Sequence, residues 1–398
     1  MGGYRVLEPR SLEAEVDMKK LRVLHLASFV GNIGDNANHL GFHRKIAAAL
    51  KFSLEFTQLE IRDFYRGTRA YDDQFVDYVN TFDLFIVGGG NYFELWPTNS
   101  PSGTSVGFSI EQLARFNCPV LFNALGIDIG QGIGVGSREK FRNFLDYCLK
   151  SPRVFISVRN DGAIENVKKI FGDYYANRIL QVPDSGFFLE TKLASIPYRD
   201  NKPWVGINVA SDMPEIRYSR FGIESFMNNI RDLVVWLSEG GYKSVFLPHI
   251  PTDFYFIYEI LSGLKNDKIL RENVVIAPVH QGDSGLFSSL NYYSNCSHLI
   301  ATRFHSNIFG IVLGIPTICL NTYIQLENLY HELKLPEQLI GVNDPNFIGQ
   351  LKAKFLKYES PDQCNNLITR YAEIGHENEN SAEKYSRQLN IWLEKCNL

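Results

Sequence analysis

The sequence predicts an α/β protein of two doubly wound (Rossmann-like) domains facing one another across a cleft. Three observations carry this. Short continuous apolar runs alternate with helix-like stretches almost to the end, the pattern of parallel strands buried on both faces. The series pauses once, at Ser195–Pro203 (SIPYRDNKP), and then restarts; its prolines and charges mark a linker. A chain of 398 residues is also long enough for two domains at roughly 100–200 residues each. The expected division is an N-terminal extension, 1–20, an α/β domain, 21–195, a second, 203–360, and a helical segment, 361–398.

Each element has its own reason. Leu21–Phe29 (LRVLHLASF) reads as a buried strand, ended by Gly31-Asn32-Ile33-Gly34-Asp35, and Asn36–Leu50 has helical spacing. Leu54–Ile61 is a second strand, and Asp83–Val87 (DLFIV) a third that runs into Gly88-Gly89-Gly90. Pro119–Ala124 and Val154–Val158 follow, each leading into a helical segment, and Ile179–Val182 is one more short run. After the linker come the strand Trp204–Val209 and the helix Phe221–Glu239, closed by Gly240-Gly241. Ser244–Leu247, Asn273–Ala277, Ser297–Ala301 and Thr317–Leu320 continue the strands. From Pro361 to Leu398 there is no strand signal, and one or two capping helices are expected.

The charge balance, 40 basic against 44 acidic residues for a net −4, argues against a protein that coats nucleic acid or anionic lipid, which runs on clustered positive charge. It leaves room for a small basic pocket. No apolar run reaches the roughly 18 residues of a membrane span, and Met1–Lys20 lacks a signal-peptide core. The expectation is a cytoplasmic protein that can meet the inner face of the membrane through its partners. Six scattered cysteines with no C-x-x-C pair read as reduced, buried thiols.

Ligands of doubly wound sheets bind beyond the carboxyl ends of the strands, so the loops there are the candidates. The loop Gly31–Asp35 opens a helix whose free N–H groups suit an anion or a sugar oxygen; Gly34 permits close approach, and Asp35 could cap the helix, orient a hydroxyl or act as a base. Three glycines ending at Gly90, followed by Asn91, suggest a ligand or backbone lying close. Tyr92, Phe93 and Trp96 behind them offer either core packing or faces for a sugar. Arg159 can grip an anion or pair with Asp161 or Asp184, the favoured reading; Asp184 itself suits a cap or an interface. His249, at the end of a strand, suits a ligand contact or a structural hydrogen bond equally. Arg217 and Arg220 fall in Ala210–Arg220, expected as a mobile loop over the cleft. The most informative run is Ala301–Asn307 (ATRFHSN). Arg303 and His305 are two apart at a strand-to-helix turn: one holds an anion, the other trades a proton near neutral pH.

Taken together and in order, these runs resemble the polysaccharide pyruvyl transferase family. Its G-N-x-G-D loop is Gly31–Asp35, its G-G-G loop Gly88–Gly90, and its S-V-R-[DN] element Ser157–Asn160. Its D-P-[AS]-F turn appears as Pro183-Asp184-Ser185-Gly186-Phe187. Its R-[LF]-H element is Arg303–His305, followed by the G-[IV]-P-x-[IV] strand at Gly314–Ile318. The likeness spans about residues 22–330. The family often places a lysine near the tyrosine after the last strand; here Asn321–Gln325 has Tyr323 but no lysine follows until Lys334.

The resemblance implies a two-domain architecture of the glycosyltransferase-B type, the N-terminal domain on the acceptor side and the C-terminal domain on the donor side. It implies transfer of the enolpyruvyl-derived group of phosphoenolpyruvate onto sugar hydroxyls of a polysaccharide, its precursor or a glycan, lipid-linked acceptors included, to form a pyruvate ketal. That chemistry needs neither metal nor separate cofactor. His305 is then the acid/base, Arg303 the anion clamp with Arg217, Arg220 and His249 beside it, and Asp35 orients or deprotonates the sugar. The competing readings are a nucleotide-sugar-dependent glycosyltransferase, which predicts nucleotide-diphosphate binding, and a non-catalytic carbohydrate-binding relative, which predicts sugar binding without phosphate release.

Overall fold

The structure, a computed structural model, describes residues 18–189 and 201–398. Most of the expected extension and of the expected linker lies outside the described residues. Within them, two six-stranded sheets carry the fold, and their strand pairs are parallel. The first holds β1 (Lys20–Ala27), β2 (Ser53–Glu60), β3 (Leu84–Gly88), β4 (Val120–Leu125), β5 (Val154–Arg159) and β6 (Leu180–Val182), in the order β2-β1-β3-β4-β5-β6. The second holds β7 (Trp204–Asn208), β8 (Lys243–Phe246), β9 (Val274–Ile276), β10 (Cys296–Ala301), β11 (Thr317–Asn321) and β12 (Leu339–Gly341), in the order β12-β11-β10-β7-β8-β9. β3, β4 and β7 are buried at every residue, which is why their sequences run apolar without alternation, save for Asn123 and Asn208.

The strand order reverses between β1 and β3 in the first sheet and between β7 and β10 in the second. The connections leaving such a pair diverge to opposite faces and open a crevice at the strand ends. The loops after β1, β3, β7 and β10 therefore meet in the cleft.

Two elements differ from the expectation, the helix after β1 and the last strand. The helix after β1 starts at Ile33, not Asn36, because Asn32 caps it: its Oδ1 accepts the Gly34 N–H at 3.0 Å. That helix ends at Gly41 and continues as a π turn, Phe42–Ile46, and a 3₁₀ turn, Ala47–Ala49. β12, three residues long and paired beside β11, has no periodic signal in the sequence. The C-terminal segment is one helix, Pro361–Lys395, about 50 Å long at 1.5 Å per residue.

That helix does more than cap. Leu367, Tyr371 and Ile374 join the core on one face of the second sheet. Ala382, Tyr385, Leu389, Trp392 and Leu393 join Leu21, Val23, Ile86 and Leu121 on the first sheet. With buried Asn378 between Ile374 and Ala382, these residues from Leu367 to Trp392 recur every three or four positions, so one buried stripe serves both domains in turn. Inside the first domain, the Tyr385 hydroxyl donates to Asn123 Oδ1 and lies 2.8 Å from Ser157 Oγ. The Trp392 indole donates to the Pro152 carbonyl.

Candidate active site

The cleft between the sheets holds a pocket of about 300 Å³. Four arginines line it, Arg62, Arg159, Arg217 and Arg303, with three carboxylates, Asp35, Glu94 and Asp212. Asn91, His249, Thr302, His305 and Tyr323 also face it, with Tyr65 and Tyr92.

The C-terminal wall grows from β7, β8 and β10. Arg303 follows β10, and its N–H is held by Asn208 Oδ1 at the end of β7. Its guanidinium forks onto Asp253, Nε to Oδ2 at 2.8 Å and Nη2 to Oδ1 at 2.5 Å, and Nη2 also lies 2.7 Å from Asp212. Burial opposes its charge, but Asp253 and Asp212 outweigh that and raise its pKa above the ordinary arginine value. Arg217 donates Nη2 to Asp212 Oδ2 at 2.9 Å and Nη1 to Thr322 Oγ1 at 3.0 Å. It is buried at the end of the short helix Pro214–Arg217, so the expected mobile loop arginine is a bolted one. Its guanidinium sits 5.5 Å from the Tyr323 ring: where the family often supplies a lysine near this tyrosine, the neighbouring cation here is an arginine. Arg220 is not brought to the cleft; it is exposed and donates to the Asn343 carbonyl.

His305 stands one residue into the helix Phe304–Val312. Its Nε2 lies 3.4 Å from Asp184 Oδ1, an ion-pair distance across the two domains, too poorly aligned for a hydrogen bond. Its Nδ1 side rests on Gly34: a Cβ there would sit 2.5 Å from Nδ1, so only glycine lets the first-domain helix approach this ring. Asp184 is fully buried and accepts from Gly186 N and Asn38 Nδ2 at 2.8 and 2.7 Å. Burial alone would raise its pKa; His305, Arg159 and the Gly186 N–H hold it down at about 2. Read from sequence as a cap or interface residue, Asp184 is both, and it is also the partner of His305.

Arg159 donates Nε to Asp161 at 2.6 Å, stands 3.4 Å from Asp184, and lies over the Phe304 ring. His249 shares a 2.7 Å hydrogen bond with the Tyr293 hydroxyl, and burial, with Arg303 and His305 nearby, drives its pKa well down. It is a neutral imidazole.

On the N-terminal wall, Asp35 does not cap its helix. It pairs with Arg62 at 3.2 Å, and Arg62 also binds Ser28 Oγ and the Val30 carbonyl. Asn91 donates Nδ2 to Asp128 at 3.0 Å and to Glu94 at 3.4 Å, and Tyr323, from the facing domain, donates to the same Asp128 at 2.6 Å. The triple glycine has a packing reason after all. A Cβ on Gly89, at φ +85°, would meet Asn38 and His39, and one on Gly90 would meet the Tyr92 ring; Gly90 itself does not line the pocket. Phe93 is core, while Trp96 is 46% exposed.

Sequence reasoning missed Arg62, Glu94, Asp212 and Asp253. Arg62 and Asp212 carried a signal, since Arg62 directly follows the strand Leu54–Ile61 and Asp212 lies in the loop after Trp204–Val209. Among the described residues, no group of three His, Cys, Asp or Glu is arranged to hold a metal, and no helix is long and apolar enough to cross a membrane.

A family model described as polysaccharide pyruvyl transferase matches residues 22–322. No curated protein matches the chain. Among solved structures, UDP-GlcNAc 2-epimerase from Neisseria meningitidis bound to UDP-GlcNAc is similar at 11% identity and a TM-score of 0.53, covering 94% of this chain and 100% of its own. MnaA of S. aureus, solved with UDP, is similar at 10% identity and a TM-score of 0.52, over 89% of this chain and 91% of its own. At such identities the likeness speaks to the fold, two α/β domains of the glycosyltransferase-B type.

Proposed function

The chain belongs to the polysaccharide pyruvyl transferase family, and from that premise we propose that it moves the enolpyruvyl-derived group of phosphoenolpyruvate onto two hydroxyls of a glycan acceptor, closing a pyruvate ketal. The observation that carries the reading is the His305–Asp184 pair set in an arginine-lined cleft.

Phosphoenolpyruvate brings a carboxylate and a phosphate. Arg303 and Arg217 already converge on a carboxylate, Asp212, whose side chain is 33% exposed. A ligand oxyanion can share or take that place. His305 protonates the methylene carbon, and the buried anion of Asp184 supports the imidazolium that does so. The adjacent carbon gains oxocarbenium character, one sugar hydroxyl adds to it, phosphate departs, and a second hydroxyl closes the ring. Asp35, steadied by Arg62, orients the first hydroxyl beside His305. His249, being neutral, serves the donor through a hydrogen bond. Phosphoenolpyruvate is a co-substrate in this scheme, which draws on no further cofactor. A lipid-linked acceptor would bring the enzyme to the inner face of the membrane.

The test is phosphate release from phosphoenolpyruvate with a panel of acceptor sugars, lipid-linked ones included, beside calorimetry with phosphoenolpyruvate and UDP-GlcNAc. Acceptor-dependent phosphate release is expected. Tight binding of the sugar nucleotide with none of phosphoenolpyruvate would replace this reading with glycosyl transfer.

A further inference from the structure

We propose that Glu94 takes the proton of the second acceptor hydroxyl, the one whose attack closes the ketal; the inference rests on the pyruvyl-transfer reading above.

The need for such a group follows from the balance of the reaction. Two sugar O–H bonds break and two C–O bonds form. One proton's worth is returned to the carbon that becomes methyl, and the other leaves on phosphate. In the closing step the hydroxyl's O–H pair becomes its bond to the central carbon. The bond from that carbon to the phosphate oxygen breaks, phosphate keeps the pair, and the proton passes through the base to the departing phosphate.

On the N-terminal wall of the pocket the carboxylates are Asp35 and Glu94. They are unlike. Asp35 is paired with the Arg62 guanidinium at 3.2 Å, a fixed contact that suits it to hold a hydroxyl in place. It follows Gly34, which abuts His305, so it serves the hydroxyl that adds as His305 gives up its proton. Among the described residues, the hydrogen bonds Glu94 receives come from neutral donors: Ser105 Oγ at 2.8 Å, Gln131 Nε2 at 3.2 Å and Asn91 Nδ2 at 3.4 Å, with the Trp96 side chain beside it. Burial, and then the Asp128 carboxylate beyond Asn91, push its proton affinity above that of an ordinary glutamate, toward what a general base needs near neutral pH. Asn91 fixes its direction, because the same amide is tethered to Asp128, and Tyr323 of the donor domain grips Asp128. The base is thus positioned through a residue that reports the facing domain. Tyr65, half exposed on the pocket wall, offers the acceptor ring a large apolar face.

The experiment compares parent, Glu94→Gln and Glu94→Asp with phosphoenolpyruvate and the acceptor panel, reading inorganic phosphate, pyruvate and ketal separately, with phosphoenolpyruvate affinity by calorimetry. In Glu94→Gln, ketal formation should fall about 10²–10⁴-fold while donor affinity stays within about twofold of the parent. Phosphate should still be released, with water capturing the central carbon and pyruvate appearing in place of ketal. Glu94→Asp, which keeps the carboxylate, should make ketal faster than Glu94→Gln. Ketal formation at the parental rate in Glu94→Gln overturns the proposal. So does an equal fall in phosphate and ketal, which would put Glu94 at the first addition, and so does a loss of donor affinity in step with turnover, which would make it structural. A parent that releases no phosphate from phosphoenolpyruvate with any acceptor sinks the pyruvyl-transfer reading itself, before a variant is compared.

Discussion

Arg303→Ala is expected to cost stability and donor affinity together. The guanidinium is buried between Asp253, fully enclosed, and Asp212. Removing one partner of a buried pair costs about 3–5 kcal/mol when the survivor is left bare. Asp253 is not left bare: it keeps the N–H groups of His249, Ile250 and Ser211 and the Ser211 hydroxyl, and Asp212 keeps Arg217. The loss should therefore be lower, about 2–4 kcal/mol. Arg303→Lys restores the charge without the fork and should recover only part of it. Urea titration reads this as a lowered midpoint at unchanged slope. For the ligand, a lost charge-assisted hydrogen bond is worth about 1.5–3 kcal/mol, or about 10–150-fold in the Kd of phosphoenolpyruvate by calorimetry. A variant that unfolds at the parental midpoint would refute the ion-pair reasoning. A destabilised variant with unchanged affinity would leave Arg303 structural and assign the donor to Arg217.

Asp184→Asn should keep donor binding and lower turnover about 10²–10⁴-fold, since the imidazole loses the anion that supports its charged form; parental turnover would make the pair incidental. Because Asp184 is held at about 2, its stabilising effect is in place above the ordinary aspartate value, about 3.9, and fades only as pH falls through 2, so a rate limb near neutrality belongs to another group. The histidines behind the first-domain loop act at higher pH. Burial, and then its histidine neighbours, lower His25; burial also lowers His39, and burial with His39 brings His43 to about 4. The unfolded chain binds protons at these sites below about 6.5 and the folded chain does not. The urea midpoint should therefore drop as pH falls from about 6.5 to 4, and a flat midpoint over that window would contradict neutral burial.

The fold was legible because its signal is local. Leu84–Val87 is apolar throughout, and Val120–Leu125 is apolar but for Asn123, since both sheet faces are covered. What escaped was either too short to show a period, as with Leu339–Gly341, or turned on one capping side chain, as with Asn32. The site was half legible. Arg303 and His305 stand out because a strand-to-helix turn presents them together. Their partners Asp253 and Asp184 come from distant loops, and an ion pair leaves no trace in spacing when packing of separate elements creates it. Glu94 looks like any loop glutamate until Asn91, Ser105 and Gln131 are seen around it. The triple glycine answers to a constraint that spacing does not reveal: a Cβ on Gly89 would meet Asn38 and one on Gly90 would meet Tyr92.

The long C-terminal helix also dictates when the first domain can finish folding. Leu21, Val23, Ile86 and Leu121 need Tyr385, Leu389 and Leu393 as cover, and those residues are made near the opposite end of the chain. At about 5–20 residues per second, a nascent first sheet waits on the order of tens of seconds with that face covered only in part, by Phe42, Ile46 and Leu50. Domain-by-domain completion during synthesis is closed to it, and the unfinished face is the kind of surface that chaperones engage. The second sheet emerges and can assemble in the interval. The last event is then the laying down of one amphipathic rod, which seals the older domain and ties it to the younger.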